Sequence, residues 1–172
     1  KIKEITIIRT GLMGGSIGIA LKKKKISSKI VGIDNSKSNL IDAQKVKAID
    51  EKRHKIDDRI SKSQIIFICT PVSKIDSLVA EILPFITNKE TIITDVGSVK
   101  KCFSKKTINL AKEKCNLIPG HPIAGTEYSG AKNSKVNLFE KKWCILTPIQ
   151  KQKKSLSILA KILKNIGMKV SI

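Results

Sequence analysis

The chain has 172 residues, and 34 basic against 14 acidic side chains give it a formal net charge of +20 at pH 7. Its hydrophobic fraction of 41% is ordinary for a globular protein, and no stretch approaches the roughly 18 apolar residues of a membrane-spanning helix. The first residues lack the apolar run of a secretory signal peptide, so we expect a cytoplasmic protein without a membrane partner.

Charge and cysteine content also bear on partners and metals. The lysines are spread along the chain and aromatic residues make up only 3%, so the sequence offers no stacking platform for single-stranded nucleic acid. A solvated lysine-rich surface is favoured over a polyanion site, and we expect no nucleic-acid partner, although the positive field would attract small anions. The four cysteines are far apart without a Cys-x-x-Cys pair, which predicts reduced thiols and no metal site.

Short apolar runs alternate with longer amphipathic segments along the chain. The apolar runs predict strands at Glu4–Ile8, Lys29–Ile33, Ile65–Cys69, Thr91–Asp95, Asn116–Pro119 and Lys142–Thr147. The amphipathic segments predict helices at Gly14–Lys24, Lys37–Ala48, Ser73–Leu83, Lys100–Lys112 and Gln152–Ile166, with a glycine stop and one more strand after the last. This alternation predicts one α/β domain over residues 1–172, a doubly wound, mostly parallel sheet with helices on both faces.

The segment Gly11-Leu12-Met13-Gly14 follows the first strand and opens the first helix, which is the context of a dinucleotide-binding turn. Gly11 would let the backbone approach a pyrophosphate, and Gly14 would let helix and strand pack closely. The helix N-terminus favours the phosphate charge. Arg9 stands where such a turn usually begins with glycine, which predicts either a strained backbone or a contact between the guanidinium and the pyrophosphate.

The second predicted strand ends in Asp34, twenty residues after Gly14. A carboxylate here can accept hydrogen bonds from the ribose hydroxyls and would repel a 2′-phosphate, so NAD is favoured over NADP, with Lys37 nearby as an opposing influence. The alternative is that Asp34 caps the following helix.

Two later strand ends carry further candidates. The third predicted strand continues as Thr70-Pro71-Val72, an extended turn at the carboxyl edge where ligands of such sheets bind. The fourth is followed by Ser98, whose hydroxyl either reaches the site or caps a helix.

The segment GHPIAGTEYSG, residues 120–130, crowds five functional side chains between glycines directly after a predicted strand. His121 therefore lies at the same predicted edge, where an imidazole can act as an acid–base group near neutral pH. The other histidine, His54, lies in a polar stretch and is interpreted as solvated.

Taken together, GLMGGSIG, the acidic end of the second strand, CTPV, TDVGSVK and HPIAGTEYSG resemble the prephenate/arogenate dehydrogenase family over nearly the whole chain. The His-Pro-x-Ala-Gly-[ST]-Glu segment is much more specific than the glycine turn. The resemblance implies a Rossmann-type domain of an oxidoreductase of tyrosine biosynthesis. Such enzymes use NAD, or NADP, to oxidise prephenate to 4-hydroxyphenylpyruvate and carbon dioxide, or arogenate to tyrosine.

The same resemblance implies roles for individual residues. His121 takes the proton of the substrate's ring hydroxyl, and Ser98 orients that hydroxyl and the nicotinamide. Thr126 and Glu127 line the substrate entrance. The implied cofactor contacts are Gly11, Leu12, Met13, Gly14, Asp34, Thr70, Pro71 and Val72.

Family members continue into a helical C-terminal domain that forms a homodimer and supplies cations for the substrate's carboxylates. We expect that domain to be absent from this sequence, which leaves open whether the 172 residues are active by themselves. Other interpretations also stay open: a non-catalytic NAD-binding module, a related dehydrogenase of a small β-hydroxy acid, and a basic nucleic-acid binder with steeply salt-dependent affinity.

Overall fold

The computed structural model describes residues 1–96, 103–122 and 137–172. Its strands are β1 (Ile2–Ile8), β2 (Ser27–Ile33), β3 (Glu51–Arg53), β4 (Ile65–Ile68), β5 (Ile92–Asp95), β6 (Asn116–Pro122), β7 (Trp143–Leu146) and β8 (Lys169–Ser171). Its α-helices are α1 (Leu12–Lys23), α2 (Lys37–Lys45), α3 (Val72–Ile82), α4 (Lys105–Lys114) and α5 (Lys153–Asn165). Two 3₁₀ helices span Asp58–Lys62 and Leu83–Phe85.

The strands form one sheet in the order β3-β2-β1-β4-β5-β6-β7-β8. Pairs from β3 to β6 are parallel, whereas β7 runs antiparallel to β6 and parallel to β8. The predicted doubly wound, mostly parallel sheet is therefore confirmed. Strand order reverses between β1 and β4, and this switch point opens a crevice at the carboxyl ends of the strands, where open α/β sheets bind ligands.

Helices cover both faces of the sheet, and each face has its own apolar core. On one face, β1 and β4 contribute Ile7 and Phe67, which pack with residues of α1, α2 and α5. On the other face, Ile66 and Ile68 pack with residues of α3 and α4. Because successive strand residues point to opposite faces, an uninterrupted apolar run such as β4 supplies both cores. No helix in these described ranges is long and apolar enough to cross a membrane.

The predicted elements are present with shifted ends, and three differences have clear causes. Strand β3 was missed because its three residues, Glu-Lys-Arg, carry no apolar signal. Helix α4 begins at Lys105 rather than Lys100, because the Ser104 hydroxyl accepts the Thr107 N–H at 3.1 Å and caps the helix there. Helix α2 ends at Lys45 rather than Ala48, because Lys47 adopts a φ of 60° and terminates it.

Three helices end in the same hydrogen-bonded motif. After α1, α2 and α5, a residue with positive φ donates to the carbonyl three residues back, and the next residue donates five back. This Schellman geometry favours glycine at the positive-φ position. Gly167 occupies it after α5, as the predicted glycine stop requires, whereas Lys25 and Lys47 occupy it after α1 and α2.

Candidate functional site

A cleft of about 540 Å³ opens at the carboxyl ends of β1, β2 and β4, at the switch point of the sheet. Arg9 and Asp34 line it from the strand ends, His54 from the segment after β3, and Thr70 and Lys74 from the turn before α3 and from that helix. The cleft is mixed in character, because isoleucine side chains and charged groups share its walls.

The glycine turn directly follows Arg9, which lines this cleft, and its two glycines differ in surroundings. Gly11 caps α1, and a Cβ built on it would have no neighbour within 4 Å. Leu12 and Met13 form the first turn of the helix. A Cβ on Gly14 would overlap the carbonyl oxygen of Arg9, so this glycine allows α1 to cross the end of β1. The open side of Gly11 and the helix N-terminus together leave room for an anion to approach the backbone.

Arg9 leaves β1 in a left-handed conformation, with φ of 69°. Its N–H donates to the carbonyl of Ile33 at 2.7 Å, which continues the pairing between β1 and β2. The expected backbone strain is therefore present, since side chains other than glycine's disfavour this region. The exposed Arg9 side chain lines the cleft.

Asp34 is only 7% exposed and is held by four hydrogen bonds. Its Oδ2 accepts from the Thr10 N–H at 2.9 Å, the Thr10 hydroxyl at 3.3 Å and the Asn39 amide at 3.1 Å. Its Oδ1 accepts from the Ser36 N–H at 2.9 Å. The alternative that Asp34 caps α2 is wrong, because the Ser36 hydroxyl accepts the Asn39 N–H and is the cap. Each carboxylate oxygen has about two lone-pair positions. Because Oδ1 accepts only the Ser36 N–H, it can accept one more donor.

The turn after β4 contributes Thr70 to the lining of the same cleft. Within the described residues its Oγ1 is buried without a hydrogen-bond partner. Pro71, with φ −55° and ψ 147°, gives the extended turn expected from the sequence, and Val72 begins α3. A buried hydroxyl without a partner beside a cleft is suited to a polar ligand.

His121 lies further along the same edge, next to last in β6. It is partly exposed and pairs with Ile145 of β7. The neighbouring Asp95, at the end of β5, is 2% exposed, and its Oδ1 accepts the Gly120 N–H at 3.2 Å. The sheet therefore brings Asp95 and His121 to the carboxyl edge that carries the cleft. Ser98, Thr126 and Glu127 lie outside the described residues.

Two cysteine thiols interact with the Asp95 charge: Cys69, partly buried directly after β4, and Cys144, buried near the start of β7. Burial, followed by the Asp95 charge, raises the pKa of the Cys69 thiol. Burial raises the pKa of Cys144 to about 11, where a hydrogen bond from the His121 backbone lowers it and the Asp95 charge raises it. Both thiols are therefore protonated near pH 7.

The sequence did not predict the part that several residues play in the cleft. Thr10 and Asn39 hold Asp34, but Thr10 occupies a variable position of the glycine turn and Asn39 belongs to no recognised motif. His54 is exposed, as interpreted, but it also lines the cleft, because β3 places the following segment beside the end of β2. The position of His54 at the cleft could be predicted from the sequence only if β3 were recognised as a strand beside β2.

Comparison with known proteins agrees with this geometry. Residues 17–172 match the family model described as "Prephenate dehydrogenase, nucleotide-binding domain". Over 161 residues the chain is 33% identical to a prephenate dehydrogenase of Bacillus subtilis, covering 93% of this chain and 43% of the relative. The match spans less than half of that relative's length.

Solved structures show the same similarity. A prephenate dehydrogenase from A. aeolicus, in complex with hydroxyphenyl propionate and NAD⁺, superposes with a TM-score of 0.89 at 29% identity, over 99% of this chain and 59% of that one. A Synechocystis arogenate dehydrogenase gives a TM-score of 0.88 at 27% identity, over 98% of this chain and 58% of that one. Nearly all of this chain therefore shares its fold with part of each of these two proteins.

Proposed function

Because the chain belongs to the prephenate dehydrogenase family, through a match to its nucleotide-binding domain, we propose that it provides the NAD-binding domain of an enzyme of tyrosine biosynthesis. The proposed reaction is the oxidative decarboxylation of prephenate to 4-hydroxyphenylpyruvate, or of arogenate to tyrosine. Relatives of both names resemble the chain, so both substrates belong in the test. The chain spans only part of these proteins, and the proposal includes a homodimeric full-length enzyme in the cytoplasm that uses neither nucleic acid nor membrane.

The residues of the cleft fit a dinucleotide. The unobstructed side of Gly11 admits a pyrophosphate against the backbone, and the N-terminus of α1 favours its charge. The open position on Asp34 Oδ1 suits a ribose hydroxyl, and the buried Thr70 hydroxyl suits a polar atom of the cofactor further along the edge. In this proposal Leu12, Met13, Pro71 and Val72 complete the contacts.

Cofactor preference follows from Asp34. Its carboxylate is fixed at the end of β2 by Thr10 and Asn39, and a 2′-phosphate placed there would meet like charge. NAD is therefore the proposed cofactor. Arg9 and Lys55 also line the cleft and reduce this repulsion, so the preference over NADP is expected to be moderate.

When bound, the nicotinamide supplies the hydride acceptor. We propose that His121 accepts the proton of the ring hydroxyl while the ring carbon that bears it is oxidised. A neutral imidazole is suited to this task near pH 7. Loss of carbon dioxide makes the ring aromatic, so the protein mainly needs to orient the substrate and to hold one proton. Ser98, Thr126 and Glu127 are proposed to orient the substrate, by family resemblance.

The observation that carries this proposal is the placement of His121 and of the glycine-turn cleft at one edge of the sheet, in a chain of this family. The test is the formation of NADH, followed by absorbance, when the protein is mixed with NAD and either prephenate or arogenate. Turnover that His121→Ala abolishes supports the proposal. Binding of NAD without turnover of either substrate by the full-length protein would instead identify a non-catalytic NAD-binding module, which the strained Arg9 turn keeps as the second candidate.

A further inference from the structure

The end of β6 is held on both sides within the sheet. The Gly120 N–H donates to Asp95 Oδ1 on β5 at 3.2 Å. On the other side, His121 pairs with Ile145 of the antiparallel strand β7. Because successive amides of a strand point to opposite neighbours, the Gly120–His121 segment is held from its two edges.

The side-chain acceptor is buried, since Asp95 is only 2% exposed. Water therefore has little access to replace this hydrogen bond, and a buried N–H that loses its acceptor is costly. The bond to Asp95 involves a carboxylate and belongs to the stronger, charge-assisted class.

Close packing further restricts the backbone of the Gly120–His121 segment. A Cβ on Gly120 would lie 3.0 Å from the Asp95 carbonyl oxygen and 3.2 Å from the Thr94 hydroxyl, so β5 and β6 are in unusually close approach. Just before it, the Pro119 carbonyl accepts the Thr147 N–H at 2.9 Å from the far side. The backbone that carries His121 is thus fixed within the sheet, whereas its side chain remains partly exposed.

We propose that Asp95 is a positioning residue for His121, which it holds through the adjoining Gly120 backbone at the place where the imidazole meets the substrate's hydroxyl. This inference rests on the proposed function, because it takes His121 as the proton acceptor. Asp95 does not need to touch substrate or cofactor for this role. Its loss should therefore lower turnover and leave cofactor affinity nearly unchanged, since misplacement of a catalytic group by about 1 Å costs on the order of 100-fold in rate.

Matched substitutions of Asp95 separate the loss of the hydrogen-bond acceptor from the loss of the negative charge. Asp95→Asn keeps an oxygen for the Gly120 N–H and removes the charge, whereas Asp95→Ala removes both. We expect Asp95→Ala to exchange the amide hydrogen of Gly120 about tenfold faster or more, and to loosen the His121 ring in NMR relaxation, with the exposed His54 ring as internal reference. Asp95→Asn should retain most of both properties.

Turnover and NAD affinity complete the test. The expected result is a fall in kcat of about 10- to 100-fold for Asp95→Ala, largely rescued in Asp95→Asn, with the Kd for NAD within about twofold of wild type. Unchanged exchange and ring order in Asp95→Ala would overturn the inference, as would a kcat that does not respond. If Asp95→Ala does not fold, Asp95→Asn decides, because its uncharged acceptor should still speed Gly120 exchange and lower kcat by smaller amounts. A full-length enzyme without turnover would defeat the proposed function, while amide exchange and ring order still report whether His121 is held.

Discussion

The Oδ2 atom of Asp34 lies 2.9 Å from the backbone nitrogen of Thr10, so a carboxylate at the end of β2 holds the turn that follows β1. One side chain thereby links two functions of the cleft. It fixes the segment that leads into the glycine turn, and in the proposed function its Oδ1 accepts a hydrogen bond from the cofactor's ribose. Substitutions at Asp34 should therefore change both cofactor choice and the stability of the turn.

Asp34→Ala is expected to relax the preference for NAD over NADP, because the negative charge that repels a 2′-phosphate is removed. It should also destabilise the fold by about 1–3 kcal/mol, because the buried Thr10 N–H loses its acceptor. Calorimetric titration with both cofactors measures the first effect and denaturant unfolding measures the second. Asp34→Asn is the control: it keeps an acceptor oxygen, so it should relax the preference with a smaller loss of stability. An unchanged ratio of affinities in both variants would contradict the assignment of Asp34.

Gly11 and Gly14 should respond differently to the same added methyl group. Gly11→Ala meets no protein atom within 4 Å, so the fold should be retained while NAD affinity falls, because the methyl group occupies the space of the pyrophosphate. Gly14→Ala forces the methyl group into the Arg9 carbonyl oxygen and should destabilise the fold itself by about 1–3 kcal/mol. Thermal unfolding and NAD titration of the two variants, side by side, distinguish these outcomes. Equal losses of stability would refute the difference in surroundings.

Arg9→Gly tests the strain at the start of the turn. A left-handed conformation costs about 1–2 kcal/mol for residues other than glycine, and glycine's greater freedom in the unfolded chain offsets part of the gain. We expect Arg9→Gly to be more stable than Arg9→Ala by about 0.5–1 kcal/mol, since alanine keeps the strain. Comparison of the two by NAD titration isolates the guanidinium: weaker binding in both variants would show a contact with phosphate, and tighter binding in Arg9→Gly alone would show that strain dominates.

The helix ends offer a test that is independent of function. Lys47 adopts a φ of 60° at the end of α2, the position that Gly167 fills after α5. Lys47→Gly should raise stability by about 0.5–1 kcal/mol, whereas Lys47→Ala should not. Gly167→Ala should be destabilising, because it combines a φ of 102° with a contact of 3.1 Å between the new Cβ and Glu140. Unfolding free energies of the three variants check the order; a more stable Gly167→Ala would contradict it.

His121→Ala is expected to reduce turnover by about 10²- to 10⁴-fold, the range of a general base, while NAD affinity stays similar. Initial rates and calorimetric titration measure the two quantities. His121 lies on β6 and does not line the cleft at the ends of β1, β2 and β4. A comparable loss of NAD binding would therefore mean that the role of His121 is structural.

The sequence predicts most of this fold, for physical reasons that differ between elements. Strands such as β4 are recognisable because burial on both faces requires an unbroken apolar run. Helix α5 is recognisable because one face carries most of its leucines and isoleucines. In contrast, β3 is held by pairing with β2 and by the ion pair between Glu51 and Lys29 of β2, and neither partner is visible in its own three residues.

The candidate site is predictable in part. Glycine spacing and the acidic end of β2 locate the turn and Asp34, because these depend on local backbone geometry. The hydrogen bonds from Thr10 to Asp34 and from Gly120 to Asp95 depend on strand order and register. No local pattern encodes such contacts between segments, which become apparent only when the sheet is assembled.

The most direct test of the central claim is calorimetric titration of NAD into the 172-residue chain, repeated with NADP. We expect NAD to bind with a Kd in the micromolar to sub-millimolar range and to be preferred over NADP, because Gly11, Asp34 and Thr70 form the site despite the strained Arg9. Absence of binding by either cofactor would contradict the account, and the family resemblance would then report ancestry rather than a working nucleotide site.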